Sequence, residues 1–337
     1  MFRLFEGQTA DIVWGQIAEA FLKEDLPLQE SRGGEMRELL HSAISISDPR
    51  QRWVVSRVPA LNVAFALAEV VWIITGRNDS AFLNYFNRQL PKFAGAGATY
   101  HGAYGHRLRS HFGIDQLHRA YEILKAKPTS RQVVLQIWDG KIDLPSRIGE
   151  EAARDIPCNV LSLLKVRSDQ LEWMQIMRSN DIHLGLPHNL VQFTTVHEVM
   201  SGWLGLRLGE YHHISDSLHL YERDWGYIQE STAQVSVPNT DSLGESKQES
   251  DRNFQQLADE IELIINEENP VERLQLAVSR SQLPTPFLNM LSVFAAEGAR
   301  RRGFQDISNE IMLNCTNPLY NHLYARWLER VPKISKM

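Results

Sequence analysis

Two cysteines occur in the 337 residues, and one of them, Cys158, opens an ordered series of reactive side chains. Within residues 156–221 there follow Arg178, Ser179, Asn180 and Asp181, then Gly185, Leu186, Pro187, His188 and Asn189, and finally Ser217, Leu218, His219, Leu220 and Tyr221. A thiolate is a strong nucleophile. Arginine grips anionic oxygens through charge-assisted, often bidentate bonds. A side-chain amide offers a donor and an acceptor side by side, which suits the edge of a heterocycle. Thiol, arginine, amide, histidine and tyrosine in this order can grip and attack a pyrimidine nucleotide. Taken alone, Cys158 also fits a small buried hydrophobe. Arg178 and its neighbours favour the reactive reading, because positive potential lowers a thiol pKa. So does the placing of Cys158 where a loop enters a strand, with the later polar groups at element ends, where sites are commonly built.

Upstream, Arg32 stands beside Gly33 and Gly34. Glycines let a backbone approach an anion closely, although an ordinary solvated arginine in a turn fits the same residues. Glu69 lies inside the apolar run 62–75, near Trp72. A carboxylate among apolar residues is costly unless paired or protonated, so Glu69 is either at a helix surface or in a site that raises its pKa. Gly95 and Gly97 begin a dinucleotide-binding pattern, but Tyr100 occupies the third glycine position and no strand precedes it.

Helical spacing of apolar residues predicts helices over 9–22, with Thr9 as cap, over 62–75, ended by Gly76, over 115–126 and over 190–204. Strands are predicted over 53–55, 133–138 and 211–220, with a hairpin of 160–166 and 171–177 around Arg167, Ser168, Asp169 and Gln170. Strands and helices so intermixed predict an α+β fold, a mixed β-sheet with flanking helices. Residues 230–253 are rich in Ser, Gln, Asn and Asp and read as a linker or mobile loop. Beyond it, Phe254, Leu257, Ile261, Ile264 and Ile265 keep a helical stripe. Pro270 and Pro286 fit the first turns of two further helices, with Thr285 capping the second, and 318–331 reads as a last helix. The expected division is a catalytic domain at 1–229, a linker at 230–252 and an all-helical C-terminal unit at 253–337. Arg300, Arg301 and Arg302 read as compensation of a helix C-terminus.

A chain that is 43% hydrophobic can bury a large core, and its net charge of −6 argues against a nucleic-acid or membrane-surface binder. Two cysteines cannot build a disulfide framework, which fits a reducing compartment. No signal peptide or membrane span is read in the sequence, so the expectation is a cytoplasmic protein.

Pro157 with Cys158, the Arg178, Ser179, Asp181 series, the Gly185, Leu186, Pro187, Asn189 series, and His219 with Tyr221 together resemble the thymidylate synthase superfamily. The order continues upstream: Arg32 resembles its phosphate-loop arginine, Glu69 and Trp72 its catalytic-glutamate helix, and Tyr104 with Gly105 and Ser130 with Arg131 two further signature sites. The resemblance covers roughly residues 25–225. It implies that Cys158 adds to C6 of a pyrimidine nucleotide and that C5 then takes a one-carbon unit from 5,10-methylenetetrahydrofolate, with no metal. It further implies that Glu69 and Tyr104 move protons, that Asn189 reads the uracil edge, and that His219 and Tyr221 hold the sugar. Arg32, Arg178 and Ser179 would hold the phosphate, with Arg131 donated across a homodimer. Trp72, Asp181 and Gly185 would line the folate side.

Some positions depart from the synthase pattern. Asn159 follows the cysteine where synthases carry histidine. Phage deoxycytidylate hydroxymethylases also have an asparagine close after the cysteine and share the Arg-Ser-Asn-Asp string, yet carry an aspartate at the position of Asn189. Gln132 replaces the second of two paired arginines. Residues 331–337 do not resemble the apolar tail that closes a synthase over folate. The expectation is therefore methylation of dUMP to dTMP, with 5-hydroxymethylation of dUMP, dCMP or CMP as the alternative and a non-catalytic nucleotide-binding or partner-docking scaffold as a second.

Overall fold

The computed structural model describes residues 2–146, 155–231, 237–266 and 268–331. Six strands precede residue 222: β1 (Arg3–Gly7), β2 (Met36–Ile46), β3 (Val134–Gln136), β4 (Asn159–Arg167), β5 (Gln170–Asp181) and β6 (Arg207–Tyr221). The helices among and after them are α1 (Ala10–Lys23), α2 (Val63–Ile74), α3 (Ser80–Phe86), α4 (Leu90–Ala94), α5 (Tyr104–His106), α6 (Gln116–Ala126), α7 (Gly185–Leu204), α8 (Trp225–Gln229), α9 (Lys247–Ile265), α10 (Val271–Ser279), α11 (Thr285–Arg301), α12 (Gln305–Met312) and α13 (Pro318–Arg330).

The strands form one mixed sheet in the order β1-β2-β6-β5-β4-β3. β4 and β5 are the expected hairpin, and Ser168 and Asp169 turn it with left-handed backbones at φ 48° and 59°, the geometry that matches the twist of paired strands. β5 and β6 run parallel, joined by α7. Their register sets Ser179 opposite Ser217 and Asp181 opposite His219, while antiparallel β2 sets Glu38 against His219. Alternate β5 residues are buried, as the two-residue period of a strand with one covered face requires. That covered face packs on α7, where Trp173 meets His197 with ring centroids 5.7 Å apart.

The caps at Thr9, Asn62 and Asp115 accept from the backbone N–H groups of Ile12, Phe65 and His118, each meeting one orphan donor of a first helical turn. α2 is apolar on nearly every side and is wrapped by α7, α9, α11 and α13. Residues of the sheet region and of the C-terminal helices share one buried core, with Phe86 on Phe294 at 5.3 Å and Phe254 on Phe287 at 4.9 Å.

Several elements differ from expectation. Residues 53–55 are buried but belong to no strand. β1 and β2 were not anticipated, because Arg37, Glu38 and His41 break the apolar alternation of β2. Thr285 is the first residue of α11 and Pro284 its cap. α9 starts at Lys247, inside the stretch read as linker. The described residues before it are pinned: Asp241 accepts from Asn289 at 2.9 Å and Asn317 at 2.8 Å, and Glu198 accepts from Ser242 at 3.0 Å and the Leu243 N–H at 3.2 Å. A polar composition here marks a strap held by the buried Glu198 and by its own half-buried Asp241. Arg300 and Arg301 bond Glu297 on their own helix, and Arg302 reaches the carbonyls of Ile264 and Asn266 at the end of α9.

Candidate active site

Cys158 lies at the entry to β4. The Arg178 N–H donates to the Cys158 carbonyl at 2.9 Å, and the guanidinium folds back on the same segment. It donates to the carbonyls of Pro157 at 3.0 Å and Ile156 at 3.3 Å, and stands 4.0 Å from Cys158 Sγ. The ring of Trp138 lies 5.5 Å beneath the guanidinium. Arg178 pulls the thiol pKa down as expected, but burial outweighs it and the net shift is upward. Arg32 also lowers it, and the carboxylates of Asp155 and Asp181 raise it. Asp155, which accepts from the Gly102 N–H at 2.8 Å, had no signal in the sequence.

Tyr104 begins α5 within the electrostatic reach of Cys158, Asn159, Asp155 and Glu69. Burial, reinforced by the negative charges of Cys158, Asp155 and Glu69, pushes its hydroxyl pKa well up, while the Asn159 side chain works against the rise. Gly105 fixes this placement: a Cβ there would lie 2.5 Å from the Ile73 carbonyl and 2.8 Å from that of Trp72. Only glycine lets α5 approach α2 so closely. Glu69, on α2, is half-buried and pairs with His188 Nδ1 at 2.7 Å. Glu69 is thus a half-buried carboxylate paired with a histidine from α7. His188 was not singled out, since a lone histidine after proline carries no pattern.

Asn189 sits in the first turns of α7 and is buried. Its Nδ2 donates to Asn180 Oδ1 at 3.1 Å, and Asn180 Nδ2 bonds His213 Nε2 at 3.0 Å and Ser215 Oγ at 3.2 Å. His213 Nδ1 meets the Tyr211 hydroxyl at 3.1 Å. Burial lowers the His213 pKa to about 3, so the ring is neutral. Among the described residues the second Asn189 Nδ2 hydrogen and its Oδ1 make no other hydrogen bond. A donor beside an acceptor matches the O4 and N3–H edge of uracil.

The side expected for the nucleotide is built at the ends of strands. Gly33 packs on Tyr221, where a Cβ would fall 2.3 Å from the hydroxyl, and Arg223 donates to the Gly33 carbonyl while stacking on Tyr221 at 4.0 Å. The Arg32 loop is thereby docked at the end of β6. His219 and Tyr221 lie edge to face at 5.1 Å. Burial lowers the His219 pKa, and its Nδ1 has no hydrogen-bond partner among the described residues. Ser179 lies one residue past Arg178 on β5, beside Ser217. Arg131 is exposed, just before β3, at the sheet edge away from β1.

On the side expected for folate, Asp181 Oδ1 accepts from the N–H groups of His183 at 2.7 Å and Leu184 at 3.0 Å, turning the chain into α7. Gly185 is beside it, where a Cβ would lie 3.2 Å from Asn180 Oδ1. Trp72 is 5% exposed, packs on Tyr100, and gives its indole N–H to the Asp79 carbonyl at 3.0 Å. Trp72 lies on α2, the helix that also carries Glu69.

A mixed sheet covered by helices carries Cys158 at the entry to β4, Tyr104 on α5, Glu69 on α2 and the oriented Asn189 amide on α7. The family model described as thymidylate synthase matches residues 47–307, and the chain belongs to the thymidylate synthase family. It is 34% identical over 233 residues to a deoxyuridylate hydroxymethyltransferase of Bacillus phage SP01, covering 66% of this chain and 60% of that one. It is 34% identical over 163 residues to a protein of the same description from Pseudomonas phage M6, covering 48% and 45%. A putative thymidylate synthase of Methanothermobacter marburgensis is 28% identical over 210 residues, covering 62% of this chain and 88% of its own. The chain thus spans 60% and 45% of the length of the two phage relatives.

Proposed function

We propose that this chain transfers a one-carbon unit to C5 of deoxyuridine monophosphate and releases the 5-hydroxymethyl nucleotide. The observation that carries the reading is the meeting of Cys158, Tyr104 and Glu69 beside an Asn189 amide held by Asn180. Cys158 forms the Sγ–C6 bond, and the displaced ring electrons make C5 nucleophilic. 5,10-Methylenetetrahydrofolate, when bound, supplies the carbon. The C5 hydrogen leaves as a proton toward Tyr104 and Glu69, and its electron pair breaks the bond between the transferred methylene and the carrier nitrogen, leaving an exocyclic methylene at C5; attack of water there expels Cys158 from C6. Water adds the hydroxyl oxygen, so dUMP, methylene carrier and water become 5-hydroxymethyl-dUMP and tetrahydrofolate, with no net oxidation. Arg32, Arg178 and Ser179 hold the phosphate, His219 and Tyr221 the sugar, and Arg131 reaches the partner's site in a homodimer.

The deoxyuridylate hydroxymethyltransferases among the relatives support the hydroxymethyl outcome. Reductive methylation to dTMP is the second reading, favoured by putative thymidylate synthases matched over most of their own length. Mass spectrometry of the nucleotide, with absorbance of dihydrofolate, tests the choice. A hydroxymethyl gain with no dihydrofolate is expected; a methyl gain with stoichiometric dihydrofolate sinks the hydroxymethyl assignment.

A further inference from the structure

Behind Cys158 runs a second buried hydrogen-bond chain. Asn159, Ser162, Trp173 and Gln175 are each 0% exposed. Trp173 Nε1 donates to Gln175 Oε1 at 3.2 Å, and Ser162 Oγ donates to the same oxygen at 2.6 Å. An indole N–H donates and never accepts, so it fixes which end of the Gln175 amide faces it. Gln175 Nε2 then donates to Asn159 Oδ1 at 2.7 Å and to the Leu161 carbonyl at 3.2 Å. Asn159 is thereby turned with Nδ2 outward. That nitrogen is buried and has no hydrogen-bond partner among the described residues, and the Asn159 side chain draws the hydroxyl pKa of Tyr104 down against burial.

We propose that Trp173 and Gln175 are positioning residues that hold the Asn159 amide so that it presents a donor, and not an acceptor, to the Tyr104 oxygen. This rests on the proton-transfer role given to Tyr104 above. A donor at that oxygen stabilises the phenolate and leaves the Tyr104 O–H directed at the ring of the nucleotide. With the amide reversed, Asn159 Oδ1 accepts the Tyr104 O–H and ties it up. The step served is proton transfer alone: the C5–H electron pair stays with the nucleotide as the proton passes to Tyr104, directly or through water. Cys158, Asp155 and Glu69 also face Tyr104, and all three oppose its ionisation. A single well-placed donor therefore weighs heavily.

The test compares wild type with Asn159→Asp, Gln175→Leu and Trp173→Phe. Tritium release from 5-tritiated dUMP is followed against pH, and adduct formation at Cys158 with 5-fluoro-dUMP is followed in parallel. The adduct does not require loss of a C5 proton, so it reports the proposed function and the fold separately from the relay. Asn159→Asp, an acceptor on both oxygens, should move the rising limb of the pH profile up by about one unit, roughly tenfold slower at neutral pH. Gln175→Leu and Trp173→Phe, which release the amide, should shift it less in the same direction with KM for dUMP unchanged. An intact adduct with wild-type profiles in both of these last variants overturns the relay. An NMR contact between the Asn159 side-chain NH2 and the Tyr104 ring reads the orientation without turnover. It is expected in wild type and weakened in Gln175→Leu, and its absence in wild type also overturns the relay. No adduct in wild type defeats the proposed function instead.

Discussion

At Cys158, burial and a neighbouring cation pull ionisation in opposite directions, and burial prevails. Thiolate forms as pH rises through a pKa above the ordinary value, so alkylation by iodoacetamide should climb late, on the alkaline side of an exposed thiol. Arg178→Leu removes the largest opposing charge and should move that midpoint further up; a midpoint shifted down would contradict the balance. Base selection belongs to the same scale. Asn180→Ala frees the Asn189 amide to turn, and the kcat/KM preference for dUMP over dCMP should fall by about tenfold, the worth of one hydrogen bond of about 1.4 kcal/mol. Because His213 stays neutral above its pKa of about 3, the wild-type preference should not change across neutral pH. Cys158, Arg178 and Asn189 were legible because their types and order carry chemistry. Asn180, Gln175 and Trp173 were not, because a buried amide or indole looks in sequence like any strand residue until its partner is known.

At the scale of elements, the strongest periodic segments, α1, α2, α6 and α7 and the β4–β5 hairpin, were readable from apolar spacing and caps. β1 and β2 were hidden because their partners are distant in sequence and charged residues interrupt the pattern. The junction of α5 with α2 depends on one missing Cβ. Gly105→Ala drives a methyl into the carbonyls of Trp72 and Ile73, an overpacking that costs about 1–3 kcal/mol. The displaced Tyr104 should slow C5 proton release well beyond any change in dUMP binding. Normal release with normal stability would show that the contact is not needed.

Across the whole molecule, the C-terminal helices share their core with the sheet region, so a division at residues 230–252 should not appear as two unfolding steps. Urea denaturation followed by fluorescence and by circular dichroism should give coincident single transitions. Arg52 and Glu198 form a buried pair at this junction, joined by Thr195 and the strap at Ser242 and Leu243. Glu198→Leu leaves the Arg52 charge buried and uncompensated, which should cost about 3–5 kcal/mol; a loss below about 1 kcal/mol would mean that the pair carries little of the junction. The polar strap was misread in sequence because composition reports solvation, while the carboxylates at 198 and 241 that bind it lie elsewhere in the chain or point inward. The proposed chemistry turns on one covalent bond, from Cys158 to the nucleotide. After incubation with 5-fluoro-dUMP and 5,10-methylenetetrahydrofolate, peptide mass spectrometry should find the nucleotide on Cys158 and nothing on Cys158→Ser; an adduct on Cys315, or a Cys158→Ser variant that still releases tritium from 5-tritiated dUMP, would contradict it.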